Sequence, residues 1–153
     1  MQPTLTGGCL CGAVRYEIEG KLRHITHCHC GMCRKAHGAA FATYASLARR
    51  RFRLRSGESA LRGFRSSESV TREFCGTCGS SLFWSDGEHP EAIGIALGTL
   101  DGDPGGRPEA HIHAKDRAPW DEITDALPRF DGDVPAAADV QEAQVPAVHP
   151  RDD

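Results

Sequence analysis

Seven cysteines fall into three tight groups: Cys9-x-Cys11, Cys28-x-Cys30-x-x-Cys33 and Cys75-x-x-Cys78. An odd count at these spacings makes a poor disulfide framework and a good metal-binding one, because clustered thiolates are the soft ligands that hold zinc. Sulfurs around a tetrahedral zinc lie ~3.7 Å apart, given Zn–S bonds of about 2.3 Å. Residues i and i+2 on a strand share a face, so Cys9 and Cys11 can converge. C-x-x-C converges from a tight turn, where Gly76 and Gly79 relieve backbone strain. Counting then partitions the ligands. Cys28, Cys30 and Cys33 cover three corners of one tetrahedron, while Cys9, Cys11, Cys75 and Cys78 complete another. A site with four cysteine ligands is closed and structural, whereas three protein ligands beside a free position are the pattern of a catalytic zinc. The expectation is two zinc ions per chain, the closed one contributing on the order of 10 kcal/mol to folding.

Alternatives remain at this point. A histidine could close the second site, the candidates being His24, His27, His29 and His37. His27 and His29 flank Cys28 and point away from it on an extended chain. His37 is better placed if Arg34–Gly38 forms a helical turn. A redox reading of C-x-x-C leaves Cys30 without a role. Arg34 and Lys35, beside the second cluster, could hold substrate carboxylates or form a solvated basic face. His111 and His113 share a strand face by period 2, as acid/base groups or as structural ones. Trp84 and Trp120 read as core or pocket-wall aromatics, Asp101 and Asp103 as turn formers, and Arg49-Arg50-Arg51 as a solvated loop.

The elements that must position these residues are short strands. Val14, Tyr16 and Ile18 alternate with Arg15, Glu17 and Glu19, which predicts a strand over 13–19 with one buried face. Similar signals recur at 41–45, 51–54, 70–74, 81–84, 92–97 and 110–115, punctuated by Ser56-Gly57-Glu58, Asp86-Gly87 and Asp101-Gly102-Asp103-Pro104. Helical periodicity is weak; one turn is expected after Gly31 and a short helix over 121–127. The fold class is all-β. From Val134 the chain becomes proline- and alanine-rich without aromatics, so residues 1–133 are expected to form the zinc domain and 134–153 a flexible tail.

Several segments together resemble the glutathione-dependent formaldehyde-activating enzyme family, which includes a vertebrate centromere-associated branch. They are Gly8-Cys9-Leu10-Cys11-Gly12, CHCGMCRKAHGAAF at 28–41, REFCGTCGSSLFW at 72–84, GTLDGDP at 98–104, AHIHAKDRAPW at 110–120 and LPRFDG at 127–132. The resemblance implies a β-tent of small antiparallel sheets organised around zinc. It implies a structural zinc on Cys9, Cys11, Cys75 and Cys78, and a substrate-facing one on Cys28, Cys30 and Cys33. It also implies a carbon–sulfur lyase acting on a thiol–aldehyde adduct, with glutathione and formaldehyde as small-molecule partners, as in S-hydroxymethylglutathione synthase. The alternative is a non-catalytic zinc module that carries a thiol or binds a protein.

Composition narrows the classes further. The chain has 153 residues, 39% hydrophobic and 25% charged, with a formal net charge of −3. Seven thiolates on two divalent ions would take that charge to about −6. Such an acidic balance argues against nucleic-acid binding. No apolar run approaches the ~20 residues of a membrane span. MQPTLTGGCL lacks the pattern of a secretory signal, so the expected compartment is cytoplasmic.

Overall fold

A computed structural model describes residues 2–135 and bears out the all-β reading. Its strands are β1 (Thr4–Gly8), β2 (Arg15–Glu19), β3 (Ile25–Cys28), β4 (Ala42–Ala48), β5 (Phe52–Ser56), β6 (Leu61–Arg65), β7 (Val70–Cys75), β8 (Ser81–Asp86), β9 (Ala92–Ala96) and β10 (Pro108–Ile112). One α-helix, α1 (Gly31–His37), follows β3. Three strands form a small antiparallel sheet in the order β1-β2-β5, and seven form a larger one in the order β10-β3-β4-β9-β8-β7-β6. The pairings are antiparallel except β10 with β3, which is parallel.

The two faces of the larger sheet follow from the period-2 alternation of its strands. Ala45, Leu47, Ile93, Ile95 and Phe83 are cross-strand neighbours on one face. They pack against Tyr16 and Ile18 of the small sheet and Val14 just before β2, the face the alternation predicts, to make the main core. The other face carries Ala42, Tyr44, Ser46, Ala48, Ala92, Gly94, Ala96, Trp84 and Arg72, by the same cross-strand pairing. Its side chains are mostly small, so there is room above it for α1. The cysteines of 28–33 pack there in a second cluster with Trp84, Tyr44 and Ile112, flanked by Met32, Phe130 and Val134.

Several local expectations need correction. The 121–127 segment is not helical. Pro128 and Pro119 bracket it closely, and its polar groups bond otherwise: the Asp125 carboxylate accepts from the Leu127 N–H and the Ile123 carbonyl from Arg129 Nη2. β10 ends at Ile112, and His113 turns into the left-handed region at φ 50°, so His111 and His113 do not share a strand face. Trp120 is 72% exposed, whereas Trp84 is buried. Arg51 is no free loop cation: its Nε donates to the Glu19 carbonyl at 2.8 Å. Asp103 does form its turn, accepting from the Gly105 N–H at 2.8 Å. The tail expected over 134–153 lies outside the described residues apart from Val134 and Pro135. Among the described residues no helix is long and apolar enough to cross a membrane.

Candidate metal centres

The β1–β2 and β7–β8 connections meet at a corner of the molecule, and four sulfurs meet there with them. Cys9 and Cys11 lie in a tight turn beyond β1, not on a strand as their spacing suggested. Gly12 at φ 82° closes that turn, its N–H reaching the Cys9 carbonyl at 3.1 Å. The turn does what a shared strand face would have done, placing the two Sγ atoms 3.6 Å apart. Cys75 ends β7 and Cys78 sits in the following turn, where Gly79 at φ 80° returns its N–H to the Cys75 carbonyl at 2.8 Å. Cys11 Sγ lies 3.8 Å from Cys75 Sγ, and all four sulfurs fall within 4.8 Å of one another. These separations match the ~3.7 Å edge of a zinc tetrahedron. Donors point at the sulfurs as well: the Val14 N–H reaches Cys9 Sγ at 3.2 Å. Ser80, from its hydroxyl and its backbone, holds the Cys78 thiol down to about 5.

The second cluster is built by the end of β3 and the first turn of α1. Cys28 closes β3, Cys30 is the N-cap of α1 with its Sγ accepting from the Cys33 N–H at 3.3 Å, and Cys33 lies inside the helix. The three sulfurs are mutually within 4.8 Å, and each residue is fully buried. Hydrogen bonds from the Cys28 and Cys33 thiols hold Cys30 down to about 2, while the contact with Cys30 pushes Cys28 far up. Three crowded, buried sulfurs compete for protons, and a divalent ion among them would let all three be thiolates at once. The donor set therefore fits a soft, tetrahedral ion such as zinc.

Among the described residues no histidine or carboxylate joins this group. His37, the best-placed candidate from spacing, is on α1 as expected but turns its Nε2 to the Tyr44 hydroxyl at 2.8 Å. Burial, and then the Arg72 charge, lowers His37 to about 4. His29 points away from the sulfurs. Its Nε2 lies 2.8 Å from His111 Nδ1, and His111 Nε2 meets Asp125 at 3.0 Å. This buried chain ties β10 to the residue between Cys28 and Cys30. His113 pairs with Asp133. Arg34 is half-buried with its Nε on the His29 carbonyl at 3.2 Å, and Lys35 is exposed.

Two residues at the second cluster had no signal in the cysteine spacing. Arg72, 7% exposed, directs Nη1 and Nη2 at Cys33 Sγ at 3.7 and 3.8 Å. Tyr44 packs in the same cluster, its phenol pushed up by burial and then by Cys33. A basic residue at an alternating strand position normally reads as solvent-facing. Only the burial of Val70 on the same face hints otherwise.

Comparison with known proteins places the chain in a family. The sequence profile described as glutathione-dependent formaldehyde-activating enzyme matches residues 4–116, a span that includes all seven cysteines. A Halomonas elongata protein, provisionally named as such an enzyme, is 29% identical over 126 residues, 78% of this chain and 80% of its own. A Rhodobacter sphaeroides protein of known crystal structure is 29% identical with a TM-score of 0.55, the match covering 63% of this chain and 88% of that one. Because that profile matches well over half of its length, the chain belongs to the glutathione-dependent formaldehyde-activating enzyme family.

Proposed function

We propose that this chain is a zinc-dependent carbon–sulfur lyase acting on a small thiol–aldehyde adduct, in the manner of an S-hydroxymethylglutathione synthase. In the synthetic direction the thiol sulfur of glutathione bonds to the carbon of formaldehyde. The thiol proton ends on the former carbonyl oxygen, so no oxidant or reductant is needed. The observation that carries this reading is the second cluster, which has three buried sulfurs and no fourth protein donor among the described residues. Cys28, Cys30 and Cys33 would hold the ion there, and Cys9, Cys11, Cys75 and Cys78 would hold a second, structural one. Zinc at the three-cysteine centre supplies exchangeable ligation that keeps a substrate thiol in its nucleophilic thiolate form.

The chain's own residues do the rest. Cys30 and Cys33 are fixed by the helix turn that begins at the Cys30 cap, so the site is rigid before substrate arrives. The Tyr44 hydroxyl, bonded to His37, can hold a proton at Tyr44 Oη beside the cluster. Arg34 and Lys35 are the cations assigned to the glutathione carboxylates.

The test is kinetic. Wild-type protein should accelerate the loss of formaldehyde in the presence of glutathione beyond the uncatalysed rate. Cys30→Ala should return the rate to that baseline, a loss of about 100-fold or more, while its circular dichroism stays native. A wild-type protein that binds glutathione without accelerating the reaction would identify a carrier instead.

A further inference from the structure

A buried arginine needs a counter-charge, and Arg72 has none of the usual kind. Among the described residues no carboxylate pairs with it, and the groups acting on its charge are Cys33, Tyr44 and Cys30. An uncompensated guanidinium in a protein interior costs several kcal/mol, so such a residue persists only where a net negative charge is held next to it. The sheet aims it deliberately. Arg72 on β7 is the cross-strand neighbour of Trp84 on β8, on the face that carries the second cysteine cluster. Its Nε is anchored by the Ser66 hydroxyl at 3.0 Å, which leaves both terminal nitrogens to Cys33 Sγ. Beside it the Trp84 indole N–H is buried without a hydrogen-bond partner, a second donor in the same small cluster.

We propose that Arg72 is the specificity-determining counter-cation of the Cys28/Cys30/Cys33 centre, selecting an anionic fourth ligand over a neutral one. The inference rests on the open-centre reading of the proposed function. Three thiolates and a divalent ion sum to a formal charge of −1. A thiolate as fourth ligand would bring the buried site to −2, a charge that low-dielectric surroundings strongly oppose. Arg72 returns the resting centre to neutrality and the thiolate-bound centre to −1. A neutral fourth ligand gains nothing from this compensation. Arg72 thus acts through Cys33 and through the field at the site, without itself touching the reacting carbon.

The test uses the full chain with cobalt(II) exchanged into the three-cysteine centre, read by its sulfur-to-metal absorption. Two probes are titrated, 2-mercaptoethanol as the thiol and imidazole as the neutral ligand. Arg72→Gln should weaken mercaptoethanol binding by about tenfold or more and imidazole binding by less than about threefold, while Arg72→Lys recovers most of the difference. Equal loss for both probes, or no loss for either, overturns the proposal and leaves the open-centre reading standing. A wild-type centre whose spectrum responds to neither probe overturns both. If Arg72→Gln fails to retain zinc at the four-cysteine centre, and so is misfolded, Ser66→Ala decides. That change frees the Arg72 Nε and should produce the same selective weakening at about two- to fivefold; its absence overturns the proposal.

Discussion

The chemistry of single side chains here is governed by burial. Tyr16 shows it outside the metal centres: nearly inaccessible, with its hydroxyl 2.8 Å from the Thr99 hydroxyl, it is pushed up to about 12 by its loss of solvent. A phenol whose pKa is raised on folding leaves stability untouched below its unfolded value. Stability is then lost as pH rises from about 10 through the folded value of about 12, a total of about 3 kcal/mol. Denaturant unfolding at stepped alkaline pH should show this decline. Tyr16→Phe should flatten it, at a cost of about 1 kcal/mol at neutral pH for the Thr99 contact. Some of the cysteines shift the other way. Hydrogen bonds to sulfur outweigh burial at Cys9, Cys30 and Cys78, and those three thiols are held low.

Turns decide whether the four-cysteine centre can form. The Cys9–Gly12 turn is held from below by a second connection, the Gly57 turn between β5 and β6, which lies against the backbone of Ala13 and Val14. Gly57 sits at φ 87°, and a Cβ there would run into the Ala13 carbonyl oxygen. Gly57→Ala therefore carries both a conformational and a steric penalty, together about 2–4 kcal/mol. A fall in melting temperature of at least about 5 °C, with faster zinc loss to a chelator, is the expected result. Gly98, by contrast, has open space around its Cβ position, and Gly98→Ala should change the melting temperature little. Within β10, the parallel pairing with β3 and the His111–His29 contact show how a strand late in the chain comes to brace the residue between Cys28 and Cys30.

For the molecule as a unit, the two centres play unequal parts. The four-cysteine cluster joins the β1–β2 turn of the small sheet to the β7–β8 hairpin of the large one, with thiols 64 residues apart in the chain. The three-cysteine cluster draws its thiols from six consecutive residues, so an ion held there would close no long loop. Loss of the first ion should unfold the protein, and loss of the second should not. Metal analysis should find about two zinc per chain, mild chelation should remove one with circular dichroism unchanged, and only harsher chelation should remove the other together with the fold. Two ions lost in a single step, with or without unfolding, would contradict this division.

Much of this was legible in the residues. The period-2 pattern of Val14, Tyr16 and Ile18 marked the core face of β2, because alternation is a local property of an extended chain. The cysteine spacings marked both clusters, because converging on one ion is a geometric demand on near neighbours. β1, β3 and β6 escaped notice: TLTGG and LRGFR are broken by glycine, and ITHC is only four residues long with polar Thr26 and His27 at its centre. What only the tertiary structure decided was the company the second cluster keeps. Whether His37 closes the site or turns to Tyr44, and whether Arg72 faces water or Cys33, depends on where β4 and β7 lie relative to α1, with Arg72 and Cys33 39 residues apart in the chain. A side chain's own neighbours cannot determine that. Cysteine spacing specifies where a metal can be held; the packing of a distant strand specifies the charge around it.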